Sequence, residues 1–216
     1  MKKKFLIPGI LLSAFIVWTI LVRTVDVQSI GPMQSAVGLA AMNGWFHALT
    51  GVHTGLYHMT DRLSFLPLGI VVLFTFVGLF QWIQRRSILR VDRDILVLGC
   101  FYAAVVTVFI FFEICVINYR PVLIEGVLEA SYPSSTTMLV MCVMPTARMQ
   151  AHWKIRNQLC RQTLSVAMDC FTYFMMIARA VSGVHWLTDI LGGMLLSAGL
   201  VMLYHDVCSR KNNSAL

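Results

Sequence analysis

Six runs of apolar residues, each long enough to cross a bilayer, constrain this chain more than any other feature. Their approximate limits are 5 to 22, 64 to 83, 95 to 115, 135 to 151, 163 to 179 and 187 to 205. A crossing helix takes about 20 residues, with a range of roughly 17–25. Composition agrees: 58% of the 216 residues are hydrophobic and 12% charged, against roughly 45–50% apolar in soluble domains. The expected fold is all-α, a six-span transmembrane bundle forming one domain over residues 1–216, with no repeat, low-complexity tract or soluble domain boundary. The opening Met-Lys-Lys-Lys resembles a secretory signal, but no small-residue cleavage site precedes Arg23, so an uncleaved first span is expected.

The net charge of +7 resides in short clusters between the runs. That distribution excludes a nucleic-acid face, which would concentrate charge along one surface, and reports orientation instead. The N-terminus, Arg85 to Arg93, Arg148 to Arg161 and the tail hold thirteen Lys and Arg residues; the opposite connections hold only Arg23, Arg62, Arg120 and Arg179. The positive-inside rule then puts both termini in the cytoplasm. The six cysteines lie in or beside apolar runs without Cys-x-x-Cys spacing and are read as small apolar packers.

The longest connection, Thr24 to Leu63, carries Trp45, Phe46, Leu49, Val52, Leu56 and Tyr57 at roughly helical spacing. An interfacial helix on the outer side is expected, with Trp45 and Tyr57 at headgroup depth. His47, His53 and His58 also fall here, but their spacings of six and five do not align them on one helix face, so no metal site is assigned. Asp169 and His205, far from the outer connections, are read as interhelical or interfacial polar groups.

Three outer segments gather reactive side chains. Ala178 to Asp189 places Arg179, His185 and Asp189 between two apolar runs, where ionisable groups are costly. Ser182-Gly183 interrupts the helical pattern so that Arg179 turns back toward His185, while His185 and Asp189 are expected four apart on one helix face, a base with an orienting carboxylate. Asn118-Tyr119-Arg120-Pro121 ends the third run. Tyr132-Pro133-Ser134-Ser135-Thr136-Thr137 reads as a helix start, whose free N–H groups suit an anion. Two arginines, a helix N-terminus, a histidine and a carboxylate on one face suit a phosphate ester.

In order and spacing, Arg120-Pro121, Tyr132-Pro133-Ser134 and Arg179-x5-His185-x3-Asp189 resemble the three signature motifs of the type 2 phosphatidic acid phosphatases. The resemblance covers nearly the whole chain and implies a six-span lipid-phosphate phosphatase that uses no cofactor and no metal. It implies that His185 attacks phosphorus to form a phosphohistidine, that Asp189 orients His185, and that Arg120 and Arg179 hold the phosphoryl oxygens, with Ser134, Ser135 and Thr136 at the phosphate cradle. The implied substrate is a polyprenyl diphosphate or a phosphatidic acid-like lipid, and the implied location a bacterial plasma membrane.

Three positions, in two of the motifs, depart from the family pattern. Thr136 stands where the second motif has a histidine that protonates the leaving alkoxide, and Ser135 replaces its glycine; Glu113 stands where the first motif has a lysine. General acid–base assistance is worth roughly 10²–10⁴-fold, so three readings follow. Glu113, protonated through desolvation, replaces the missing acid, unless it is held in a salt bridge to Arg120 or Arg179. The substrate is a diphosphate, whose leaving group needs little protonation. Or the protein binds a lipid phosphate without cleaving it. A secondary transporter is disfavoured by the absence of repeats and broken spans.

Overall fold

The computed structural model describes residues 5–209; the basic residues at positions 2–4 and 210–211 lie outside that range. The described chain is helical: α1 Leu6–Thr24, α2 Ala40–Thr50, α3 Thr54–Leu63, α4 Phe65–Arg85, α5 Arg93–Ile114, α6 Ser135–Lys154, α7 Gln158–Val181 and α8 Leu187–Cys208. Five helical stretches have the length and apolar composition to cross a membrane: α1, α3 with α4, α5, α7 and α8. The remaining expected run coincides with α6 and falls short on hydropathy because of where it sits. α6 packs against α4, α5, α7 and α8, and Thr136, Thr137, Thr146 and Gln150 are all buried on it. A helix enclosed by other helices can carry hydroxyl and amide groups provided each finds a partner. Here Thr146 meets Tyr102 at 3.1 Å and Gln150 donates to the Tyr204 hydroxyl at 2.7 Å.

α1 lies along α8, close enough that a Cβ on Gly199 would stand 2.8 Å from Leu12 Cδ2. Trp18 Nε1 donates to the Thr188 carbonyl at 3.1 Å, and Thr19 Oγ1 lies 2.7 Å from the Tyr132 hydroxyl. Phe15 stacks on Tyr132 and meets Phe112 edge-on, with centroids 6.3 and 5.8 Å apart. The first helix thus holds the N-terminal ends of α6 and α8 side by side.

The expected interfacial helix is two helices. α2 ends at Gly51, whose φ of 67° is open to glycine but strained for other residues, and α3 starts at Thr54. The break lets this connection fold down onto the end of α7. The His53 N–H donates to the Ser182 carbonyl at 2.9 Å, and the Gly51 carbonyl lies against Gly183, itself at φ 69°. At the other end of the bundle, Lys154 pairs with Asp94 at 2.8 Å, Arg85 with Asp92 at 2.8 Å, and Arg148 with Asp169 across α6 and α7 at 2.8 Å. Asp169 is therefore an interhelical group. All six cysteines are free; Cys142 is buried, and Cys100, Cys115, Cys160 and Cys170 are exposed on the bundle surface instead of packed within it.

At Gly183 a Cβ would stand 1.9 Å from the Gly51 carbonyl oxygen, and φ is already in the left-handed region. Gly183→Ala should lose about 3 kcal/mol or more of stability, read as denaturant unfolding in detergent. Gly69→Ala, with nothing within 4 Å of the added carbon, should be neutral or stabilising.

Candidate active site

The end of the bundle beside α2 and α3 collects the reactive groups. α7 stops at Val181, and Ser182 through Trp186 carry the chain across to α8. This short connection turns Arg179 and His185 toward each other, with Arg179 Nη2 3.5 Å from His185 Nε2. Both are almost fully buried, at 1% and 2% exposure. The break at Ser182-Gly183 therefore acts as the sequence suggested.

The relation of His185 to Asp189 differs from the expected helix-face pair. His185 precedes α8; Trp186 is its N-cap and Asp189 lies in its first turn. The Asp189 carboxylate turns back on the helix start and accepts the Trp186 N–H at 2.9 Å, as acidic residues do at that position. It also accepts from Asn118 Nδ2 at 3.3 Å. His185 Nδ1 stands 3.8 Å from the nearer Asp189 oxygen, and Ser131 fills the interval. Its hydroxyl lies 3.1 Å from Nδ1 and makes a short hydrogen bond to Asp189.

Arg120 arrives on a tight hairpin. Tyr119 pairs with Ala130 and Ile124 with Val127 as antiparallel bridges, and the turn between them uses Glu125 and Gly126 at φ 50° and 80°, the pattern of a two-residue primed turn. This register sets Arg120 opposite Glu129: the backbone N–H of one donates to the carbonyl of the other at 3.0 Å, and their side chains form an ion pair at 3.0 Å. Tyr57, expected at headgroup depth from its amphipathic spacing, packs against both arginines, its ring centroid 4.8 Å from the Arg179 guanidinium carbon and 5.9 Å from that of Arg120. Cation–π attraction draws it inward. Thr60 accepts from Arg179 Nη1 at 3.1 Å.

These contacts leave guanidinium donors over. Arg120 Nε and Nη1 and Arg179 Nε are buried without an aligned hydrogen-bond acceptor. Glu129 approaches Arg120 Nε by distance but not with hydrogen-bond alignment. Buried donors without partners are costly and mark places where an anion gains most.

Ser134 caps α6, its hydroxyl oxygen accepting from the Thr137 N–H at 3.5 Å and from Thr137 Oγ1 at 3.0 Å, while its own N–H donates to the Asp189 carbonyl at 3.0 Å. The cap predicted from sequence is present, and it ties α6 to α8. Ser135 and Thr136 open the helix; Thr136 is buried. Glu113 is not brought to the cluster. It sits exposed in the last turn of α5 and forms no salt bridge to Arg120 or Arg179, because Phe112 is the residue of that turn that packs inward on Phe15 and Tyr132. The three histidines are dispersed: His47 lies against Trp186 with centroids 5.5 Å apart, His53 Nε2 is 2.8 Å from the Thr50 carbonyl, and His58 lies beside Tyr57.

Sequence reasoning missed Ser131, Tyr57, Thr60, Asn118 and Glu129 as site residues. Only Asn118 carried a signal, as an amide closing an apolar run two positions before Arg120.

No protein-family model matches the chain, and no curated protein does. A solved structure does resemble it: "Crystal structure of the first transmembrane PAP2 type phosphatidylglycerolphosphate phosphatase from Bacillus subtilis", with a TM-score of 0.65 and 18% identity, over 94% of this chain and 96% of that one. The chain therefore has the helical fold of a transmembrane PAP2-type phosphatase.

Proposed function

We propose that this protein is a multi-pass membrane phosphatase of the type 2 phosphatidic acid phosphatase kind, releasing phosphate from a lipid phosphate through His185. The observation that carries this reading is the set of buried N–H groups of Arg120 and Arg179 left without a partner, together with Arg179 Nη2 standing 3.5 Å from the imidazole Nε2. Guanidinium donors suit the equatorial oxygens of a phosphoryl group. The N–H groups at the start of α6 add the positive end of a helix dipole.

In the proposed reaction the Nε2 lone pair forms the N–P bond as the P–O bond to the lipid leaving group breaks, and the departing oxygen keeps the electron pair. Water then attacks phosphorus, the P–N bond breaks, its electron pair returns to Nε2, and phosphate leaves. The arginines stabilise charge on the oxygens in both steps. Thr136 supplies no acid at the position where the resembling family has histidine, and Glu113 lies on the exposed face of α5 with no contact to Arg120 or Arg179. A lipid diphosphate, whose leaving group is itself a phosphate, is therefore the favoured substrate over an alkyl monophosphate. The bundle end opposite the site holds Arg85, Arg148 and Lys154; by the positive-inside rule that end is cytoplasmic and the site faces outward, with α6 as the sixth span of a bundle in the plasma membrane.

Purified protein should release phosphate from a polyprenyl diphosphate faster than from a lipid monophosphate, and His185→Ala should lower release at least about 1000-fold. Equal background from both proteins on both lipids would favour a non-catalytic lipid-phosphate binder. Arg179→Lys should cost about 10²–10³-fold in kcat/KM. Burial first, then the Arg179 and Arg120 charges, hold the His185 pKa well below its ordinary 6.5. The nucleophile must be neutral, so it stays competent as pH falls through 6.5 and is lost only at a lower, depressed pKa. A kcat/KM profile corrected for the substrate's own ionisation should show no acid limb centred on that value; such a limb would contradict the buried site.

A further inference from the structure

Four groups form one hydrogen-bonded line: Arg179, His185, Ser131 and Asp189. The chemistry of its two ends fixes the direction of every bond in it. Guanidinium groups only donate, so His185 Nε2, facing Arg179 Nη2 at 3.5 Å, is the accepting nitrogen. A carboxylate only accepts, and Asp189 is surrounded by donors: the Ser131 hydroxyl, the Trp186 N–H and Asn118 Nδ2. The single Ser131 proton therefore points at Asp189. Its oxygen is left to accept from the remaining imidazole nitrogen, Nδ1, at 3.1 Å. Asp189 cannot do this alone, since 3.8 Å to Nδ1 is beyond hydrogen-bond range.

We infer that Ser131 is the positioning residue that sets the tautomer of the nucleophile, accepting from Nδ1–H of His185, donating to Asp189, and so presenting the Nε2 lone pair to the arginine-lined phosphoryl site. Which ring nitrogen carries the proton is decided by the partner of the other nitrogen, and here that partner is a hydroxyl placed between histidine and carboxylate. When Nε2 becomes phosphorylated the ring gains positive charge, and the same line passes the Nδ1–H bond toward the Asp189 charge. Without the hydroxyl, Nδ1 loses its acceptor and the ring is free to invert or to protonate at Nε2, where it has no lone pair for phosphorus. The consequence for catalysis rests on the phosphohistidine reading; the tautomer itself does not.

The test is nitrogen NMR of the full-length protein labelled with ¹⁵N-histidine, the His185 signals being identified by their loss in His185→Gln. Wild type should show a protonated Nδ1 and an unprotonated Nε2, Ser131→Ala should lose that preference, and Ser131→Thr, which keeps the hydroxyl, should retain it. A proton on Nε2 in wild type, or an unchanged pattern in Ser131→Ala, would overturn the assignment; the wild-type spectrum alone decides the first point even if Ser131→Ala does not fold. In phosphate release, Ser131→Ala should lower kcat about 10- to 100-fold with KM little changed, and Ser131→Thr should restore most of it. Protonated Nδ1 in a wild-type protein that releases no phosphate would count against the phosphatase reading and leave the role of Ser131 standing.

Discussion

The Asp189 carboxylate holds this end of the molecule together. It is fully buried in the first turn of α8 and bonded to the α8 start through Trp186, to the end of the third apolar run through Asn118, and to the segment before α6 through Ser131. An isolated buried charge would be prohibitively costly, so each donor is required, and together they fix the relative positions of three segments far apart in sequence. The Ser134 N–H bond to the Asp189 carbonyl joins α6 to the same residue. Around this anchor Asn43 donates to Thr188 Oγ1 at 3.0 Å and accepts the Thr188 N–H at 3.1 Å, which fastens α2 to α8. The geometry of the candidate site and the tertiary structure thus depend on one set of hydrogen bonds.

A second constraint is the pairing of cations against an aromatic face. Arg120 and Arg179 repel each other and are both buried, yet they share the Tyr57 ring. Glu129 offsets part of that charge from the hairpin, and Thr60 takes one Arg179 donor. What remains is a surplus of N–H groups in a place with low water access, where the electrostatic attraction for a phosphoryl group is strongest. The α2–α3 connection packs on the end of α7, and α3 contributes both Tyr57 and Thr60, so a segment that reads as a membrane-surface element is part of the site wall.

Much of this was legible in the sequence, because hydrophobic run length and the polar interruptions within it are local properties. The helices match the expected runs closely, and the Ser182-Gly183 break and the Ser134 cap are where turn and capping chemistry put them. Enclosure was not legible: α6 has the length of a span, but its threonines and Gln150 are explained only by the helices around it. Nor were partners supplied from a distance. Ser131 is an ordinary serine until Asp189 and His185 arrive beside it, and Tyr57 an ordinary interfacial aromatic until two guanidinium groups do. The exposure of Glu113 has the converse origin, since its position on the helix surface follows from which face of α5 packs, with Phe112 inward.

His185 Nε2 as the nucleophile is the centre of this account, and a trapped intermediate tests it most directly. Protein mixed with a phosphate-labelled lipid diphosphate is quenched in alkali, where phosphohistidine survives, and the modified residue is located by mass spectrometry. The expected result is a phosphoryl group on His185, attached at Nε2 and absent from His185→Ala. Labelled phosphate released without any covalent label, or a label on another residue, would contradict it.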